Sequence, residues 1–193
     1  MARHRTFDRE EVLTKAMQTF WHKGYAATSM QDLVDSMGIN RGSLYNTFGD
    51  KHSLFLAAIA HYDEQVVKQA VARLEADNAG KLAIAEYFYT LVERAINDSE
   101  RRGCLATNSA VELCIHDQEV ATRVTANLSR VERALKCALK SAQQQGDLTP
   151  ERDLDALAQF LLCTLQGLRV ISKLRPEREL LHSIVRTALS VLD

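Results

Sequence analysis

Proline is nearly absent from this 193-residue chain: there are two, and none before residue 150. Its scarcity leaves long helices uninterrupted, because proline is the residue that breaks them. Aromatic residues make up 6% and glycines number eight, while 46% of the chain is hydrophobic. Excess charge of one sign is also missing, with 24 basic and 25 acidic side chains and a formal net charge of -1. High hydrophobicity with so little net charge excludes a disordered chain. Near-neutrality also argues against bulk electrostatic binding of nucleic acid. The richest apolar stretch, Leu154 to Ile171, is broken by Asp155, Gln159, Gln166 and Arg169. It therefore falls short of a clean membrane span of about 20 residues. Residues 1–11 lack an apolar core of signal-peptide type, so a cytoplasmic location is expected. The four cysteines, Cys104, Cys114, Cys137 and Cys163, form no CxxC pair and no zinc-finger spacing. A structural metal and a disulfide scaffold are both unexpected, and no cofactor is implied.

What is present reads as helix almost throughout. Apolar residues recur at helical spacing, and no convincing alternating strand is found. In segment 8–23, Val12, Leu13, Ala16, Met17, Phe20 and Trp21 share a face. Met30, Leu33, Val34 and Met37 do so in 28–37, and a longer run from 50 to 75 starts with Leu54, Phe55 and Ile59. Ile84, Phe88, Leu91 and Ala95 form the next stripe, and Val120 to Ala142 another. Asp8 with Glu11 and Thr28 with Gln31 fit capping boxes, and Asn40 and Asp50 fit helix caps. Pro150 and Pro176 are placed at helix starts. Gly24, Gly38, Gly80 and Gly146 are placed at helix stops. The expectation is an all-α chain of about nine helices.

Residues 28–48, TSMQDLVDSMGINRGSLYNTF, carry the densest signal. Two short helices meet at a Met37-Gly38-Ile39 turn, which is helix-turn-helix spacing. Leu33, Val34, Met37, Ile39, Leu44 and Phe48 are the internal positions. Arg41, Gly42, Ser43, Tyr45 and Asn46 are left over on the second helix. Arg41 suits guanine and Asn46 suits adenine, while Gly42 permits close approach. Lys51, at the next helix start, suits a phosphate. By themselves these residues also fit a pair of core helices with a polar exterior.

The detail resolves that choice. F-x-x-x-G-Y-x-x-T-S (Phe20 to Ser29), G-I-N-R-G-S-L-Y-N-T-F-G-D-K (Gly38 to Lys51) and Leu54-Phe55 strongly resemble the N-terminal domain of the TetR family of bacterial transcriptional regulators. His52 departs from the acid often found there. The resemblance implies phosphate contacts at Thr28 and Ser29, with Gln31 at the groove edge. Arg41, Gly42, Ser43 and Tyr45 would face the major groove, and Lys51 would hold phosphate. Arg3, His4 and Arg5 would form a basic arm. It further implies a DNA-binding unit at 1–56 and a helical effector and dimerisation unit at 57–193. The homodimer would form through about 152–192 and bind a near-palindromic double-stranded operator.

Charge is distributed consistently with a local site. Residues 1–60 hold seven basic and six acidic side chains, and residues 61–193 hold 17 and 19. Within the middle helices, Phe88, Tyr89, Leu91, Leu105, Leu128 and Phe160 are candidate effector-lining residues or plain core. Cys104 follows Arg101-Arg102-Gly103 at a helix start, where a thiol pKa is lowered. GCLATNSAVELC resembles the matching region of NemR-like TetR regulators, which implies a sensor cysteine for electrophiles or oxidants. Packing alone is the plainer role of such a residue. Cys114 is a candidate resolving thiol, or a weak metal ligand with His116 and Asp117. The expected function is a non-enzymatic repressor released by a small-molecule or electrophilic effector. The rivals are a thiol enzyme using Cys104 with His116 and an effector-free DNA-binding adapter.

Overall fold

The computed structural model describes residues 7–193, and among them every regular element is helical. Helix α1 (Arg9–Lys23) opens on Asp8, whose carboxylate accepts from the N–H groups of Glu10 and Glu11. Glu11 does not return the bond, because its carboxylate is 2.7 Å from Lys15 one turn on. Helix α2 (Met30–Met37) is capped one residue later than expected. Ser29 accepts from the N–H of Asp32, and Asp32 accepts from the N–H of Ser29, a closed capping box. The expected Thr28–Gln31 pair is not formed. Gly38 ends α2 at φ 68, in the left-handed region, and so turns the chain sharply.

Helix α3 (Arg41–Phe48) starts on Asn40, which accepts from Ser43 N–H at 2.8 Å. Helix α4 begins as Lys51–Tyr62 on Asp50 and runs on through a π-helical turn (Asp63–Val67) into a last α turn (Lys68–Val71). There follow α5 (Lys81–Asn97), α6 (Leu105–Glu112), α7 (Gln118–Gln145), α8 (Leu154–Leu174) and α9 (Arg178–Leu189), with a closing 3-10 turn (Ser190–Leu192). Gly80 opens α5 in extended conformation instead of stopping a helix. Neither proline occupies a first helical position. Proline holds its predecessor extended, and Arg175, before Pro176, ends α8 at φ -133 and ψ 81. Pro150 lies in a turn, and α8 is capped by Asp153.

The head of the molecule is α1 packed on α2 and α4, with α3 laid across. Phe20 meets Phe55 edge-on at 4.9 Å, and Leu33, Met37, Leu44 and Leu54 close around them. The larger body packs α7 on α8, α5 on α8 and α9, and α4 and α6 on α7. Each fully buried Leu or Phe contributes about 1.5–3 kcal/mol. Head and body share one continuous apolar core through α4.

Helix α8 has two apolar faces. Leu157, Ala158, Leu161, Leu165 and Leu168 are buried. Ala156, Phe160, Cys163, Gly167, Val170 and Leu174 are exposed at alternating spacings of four and three. By length and composition alone α8 passes the test for a bilayer span, as apolar core helices also do. Part of that apolarity, Leu157, Ala158, Leu161, Leu165 and Leu168, lies in the core.

Candidate functional site

On α3 the inward residues, Leu44 and Phe48, are locked among Leu33, Met37 and Ile39. This leaves Arg41, Gly42, Tyr45 and Asn46 exposed and Ser43 half-buried. Tyr45 is 45% exposed, unusual for so large a ring, and points a donor and an aromatic face at solvent. A Cβ at Gly42 would meet only the Asn40 amide, at 3.3 Å, so its smallness serves the outer surface. Lys51 sits 4.4 Å from the Tyr25 ring centroid, which holds its ammonium at the start of α4, and it has no carboxylate partner among the described residues. Lys23, by contrast, is paired with Asp32 at 2.5 Å.

Two expected contacts change. Thr28 is fully buried, and its hydroxyl donates inward to the Gly24 carbonyl at 2.5 Å. It is therefore withdrawn from any phosphate, and the exposed residue at the start of α2 is Ser29. Gln31 is exposed but donates to Asp35 at 2.8 Å, so it must leave that bond to reach a groove. Arg3 and Arg5, with His4, lie outside the described residues. Sequence reasoning missed Arg9, whose guanidinium lies 5.3 Å from the Phe48 ring beside the end of α3. Nothing local marks it, since only the packing of α1 brings it there.

The head is tied to the body by named contacts. The Glu112 carboxylate, ending α6, accepts from the N–H groups of Tyr25 and Ala26 at 3.0 and 2.6 Å, in the turn before α2. Trp21 donates to the Gly103 carbonyl at 3.2 Å, under the Arg102 guanidinium at 4.6 Å. His52 meets Asp117, the cap of α7, at 2.7 Å. Hydrogen bonds from Val120, then from His52, hold the Asp117 carboxyl below its usual range against partial desolvation.

A cleft of about 1250 Å³ opens where α4, α5 and α8 meet, walled by Trp21, Tyr62, Tyr87, Tyr89 and Leu91. Of the proposed lining residues, four are corrected. Phe88 and Leu105 are buried in the core. Phe88 shares the Ile84–Val92 side of α5, whereas Tyr89, Thr90 and Glu93 line the cleft, as helical periodicity requires. Leu128 packs on the core away from the cleft, its expected inward slot being taken by buried Asn127. Phe160 is exposed on the outer face of α8.

Cys104 caps α6 just behind this cleft and is 1% exposed. Its cation is not a sequence neighbour. Arg169 of α8 places Nη1 3.0 Å from Sγ, and Tyr62 donates to Sγ at 3.5 Å. Burial pushes the thiol pKa up, but Arg169 and hydrogen bonds from Thr107 and Tyr62 leave it below the ordinary value. Arg102 is paired with Asp98 and Glu100 instead, and Arg101 is exposed at φ 51. No imidazole bonds to Cys104 among the described residues, so the Cys104–His116 pairing of a thiol enzyme is not formed. Cys114 is half-buried and donates to the Ser109 carbonyl at 3.6 Å. Burial and then Asp117 push its pKa up, which disfavours the thiolate a resolving role needs.

Residues 12–58 match the family described as bacterial regulatory proteins, tetR family, and residues 80–188 the tetracyclin repressor-like C-terminal domain. The chain is 38% identical over 195 residues to the uncharacterized HTH-type transcriptional regulator YezE of Bacillus subtilis (strain 168), spanning all of both chains. It is 31% identical to the HTH-type transcriptional repressor ComR of Escherichia coli (strain K12), over 97% of this chain and 90% of that one. A solved cysteine mutant of the TetR family transcriptional regulator CifR, complexed with 26-base-pair double-strand operator DNA, matches with a TM-score of 0.88 and 32% identity. That match covers 99% of this chain and 100% of the other.

Proposed function

The chain belongs to the tetR family of bacterial regulatory proteins and is a helix-turn-helix transcriptional regulator; from that premise we propose that it is a dimeric repressor released from its operator by chemistry at the α4–α5–α8 cleft. The observation that carries the reading is the continuity between cleft and head. Cys104 opens α6, and Glu112 closes it against the turn that sets α2. Movement of α6 therefore acts on the start of the helix-turn-helix.

Residues 1–56 form the DNA-reading unit in this proposal, and 57–193 the effector and dimer unit. Arg41, Gly42, Ser43, Tyr45 and Asn46 meet the major groove, with Ser29 and Lys51 on phosphates. The exposed seam of α8, with α9 beside it, pairs with a second copy. Two α3 helices related by a two-fold axis call for a near-palindromic operator.

Release is a population shift. Modification of Cys104, or occupancy of the cleft, favours a state whose two α3 helices no longer match successive grooves. Couplings of this kind amount to about 1–3 kcal/mol. The Cys104–Arg169 pair supports thiolate chemistry at this point. The cleft itself weighs against an effector-free adapter, for which a solid core is expected.

The test is fluorescence anisotropy of the purified protein on DNA flanking its coding region, with N-ethylmaleimide as the electrophile. Wild type should bind and be released by the reagent. Cys104→Ser should bind equally and resist release. Equal release of both proteins removes the thiol from the mechanism.

A further inference from the structure

The charges around the cleft are not balanced. Its four carboxylates are all paired: Glu86 with Arg73, Glu93 with Arg178 and His182, and Asp98 and Glu100 with Arg102. Its other four cations, Arg94, Arg101, Arg169 and Lys173, have no carboxylate partner among the described residues. Six cations therefore face four carboxylates. Paired surface charges are ordinary, but unpaired cations gathered on a concave, aromatic-walled cleft create a standing attraction for an anion.

A second observation points the same way. Tyr87 lines the cleft and is only 8% exposed, yet its hydroxyl finds no acceptor among the described residues, the Arg169 guanidinium being the group that approaches its oxygen. Buried hydroxyls are almost always bonded, so one left open beside a cavity marks a missing acceptor. The positive charges of Arg169 and Arg94 both act on this hydroxyl, against the upward push of burial on its pKa. Donor and cations thus converge at the inner end of the cleft, next to Cys104.

We propose that the cleft binds an organic carboxylate carried on an apolar body, the carboxylate accepting from the Tyr87 hydroxyl and pairing with the Arg169 guanidinium. A planar carboxylate offers lone pairs to both donors at once, and a charge-assisted bond is the strong kind. The aromatic walls of Trp21, Tyr62 and Tyr89 take the apolar body, and the cleft volume of about 1250 Å³ holds a chain of some ten carbons with room to spare. Neutral molecules of the same shape leave the cations uncompensated, and ammonium compounds are repelled. The bound carboxylate also competes with the Cys104 sulfur for Arg169, so occupancy quiets the thiol. The inference rests on the reading of the cleft as the effector site and names the class of molecule it takes.

Calorimetric titration of the full-length protein with decanoate, decanamide and decylammonium tests this. Decanoate should bind at least about tenfold more tightly than decanamide, and decylammonium not at all, since a bond to a charged group carries that much discrimination. Tyr87→Phe removes a hydroxyl that has no acceptor, so its thermal midpoint should stay close to the wild type while decanoate affinity falls about tenfold. Arg169→Gln should reduce it at least as much. Equal binding of decanoate and decanamide, unchanged decanoate affinity in Tyr87→Phe, or no binding of any of the three overturns the proposal. Operator anisotropy on the same samples separates the two readings. Selective decanoate binding without release upholds the carboxylate site and removes the effector role, whereas release by N-ethylmaleimide with no decanoate binding does the reverse.

Discussion

The roles proposed for Tyr45 and Lys51 depend on how single side chains are held: Tyr45 is turned outward by the burial of Leu44 and Phe48, and Lys51 is placed by the Tyr25 ring. Tyr45→Ala and Lys51→Ala should each weaken operator binding by about tenfold, the worth of one good contact of roughly 1–3 kcal/mol. The thermal midpoint should hold. Lys51→Ala should also lower the slope of log affinity against log salt by about one unit, because one phosphate contact is lost. Affinity unchanged in both variants would reject this face. The carboxylates give a pH dependence. Asp32 is held well below its usual range by Lys23 first and then by Ser29, and Asp117 by Val120 and His52. A depressed carboxylate stabilises the fold above its unfolded pKa, and that stability disappears as pH falls through the folded one. The thermal midpoint should stay level down to about pH 4 and drop below it. Asp32→Asn should flatten part of that drop; an identical profile would deny Asp32 the role. Thr28 and Ser29 show what one position of ambiguity means. Both are hydroxyl residues suited to a cap, and only the Gly24 carbonyl, four residues back, turns Thr28 inward.

Among the elements, α2, α3 and their turn were the most legible, since apolar spacing, Gly38 and the Asn40 cap agree and only the α2 cap is displaced by one residue. Gly38 sits at φ 68, and a Cβ there would meet nothing within 4 Å. The cost of Gly38→Ala is thus one of backbone alone, about 1–2 kcal/mol, readable as a shift in urea midpoint at constant slope. A shift near zero would mean that the turn relaxes. Helix α6 was legible only as a helix start. Its proposed role as a lever rests on Glu112, which looks like any surface acid until the turn at Tyr25 and Ala26 folds onto it. Glu112→Gln keeps the shape and loses the charge on those two N–H groups. The N-ethylmaleimide response of operator binding should weaken severalfold while Cys104 alkylation proceeds at its normal rate. A full response would place the coupling elsewhere, with the His52–Asp117 contact the next to examine. The cleft between α4, α5 and α8 was the least legible. Every candidate on the wrong side of α5 or α8 was apolar, as was every candidate on the right side, and composition does not separate them.

For the whole molecule the open question is pairing. The outer seam of α8 repeats at four and three residues, the pattern of two helices packed along their length. Gly167 has nothing within 4 Å of its Cβ position, so the seam is open there to close approach. Phe160→Glu places a charge in that seam while leaving the inner face, Leu157 to Leu168, untouched. Sedimentation should show a monomer of normal helical content, and operator affinity should fall at least about a hundredfold as one half-site is lost. A dimer that survives the change would move the interface off this seam. Net charge belongs to the same scale. At -1 overall and near +1 in the first 60 residues, non-specific DNA affinity should be weak, and specificity must come from two placed heads.

Caps, glycines and apolar spacing were enough to reach the all-helical chain and two short helices at helix-turn-helix spacing, and the family resemblance supplied the face proposed to meet DNA. Those local signals act over three or four residues, and such distances are written in the order of the chain. Tertiary structure alone decided which cation serves Cys104, which face of α5 lines the cleft, and that α8 carries two apolar stripes with separate duties. Arg169 and Cys104 are 65 residues apart, and Arg101 and Arg102, nearer in sequence, are turned to solvent or to carboxylates. Burial and charge pairing are set by which helices meet, and that is fixed by the packing of the whole core.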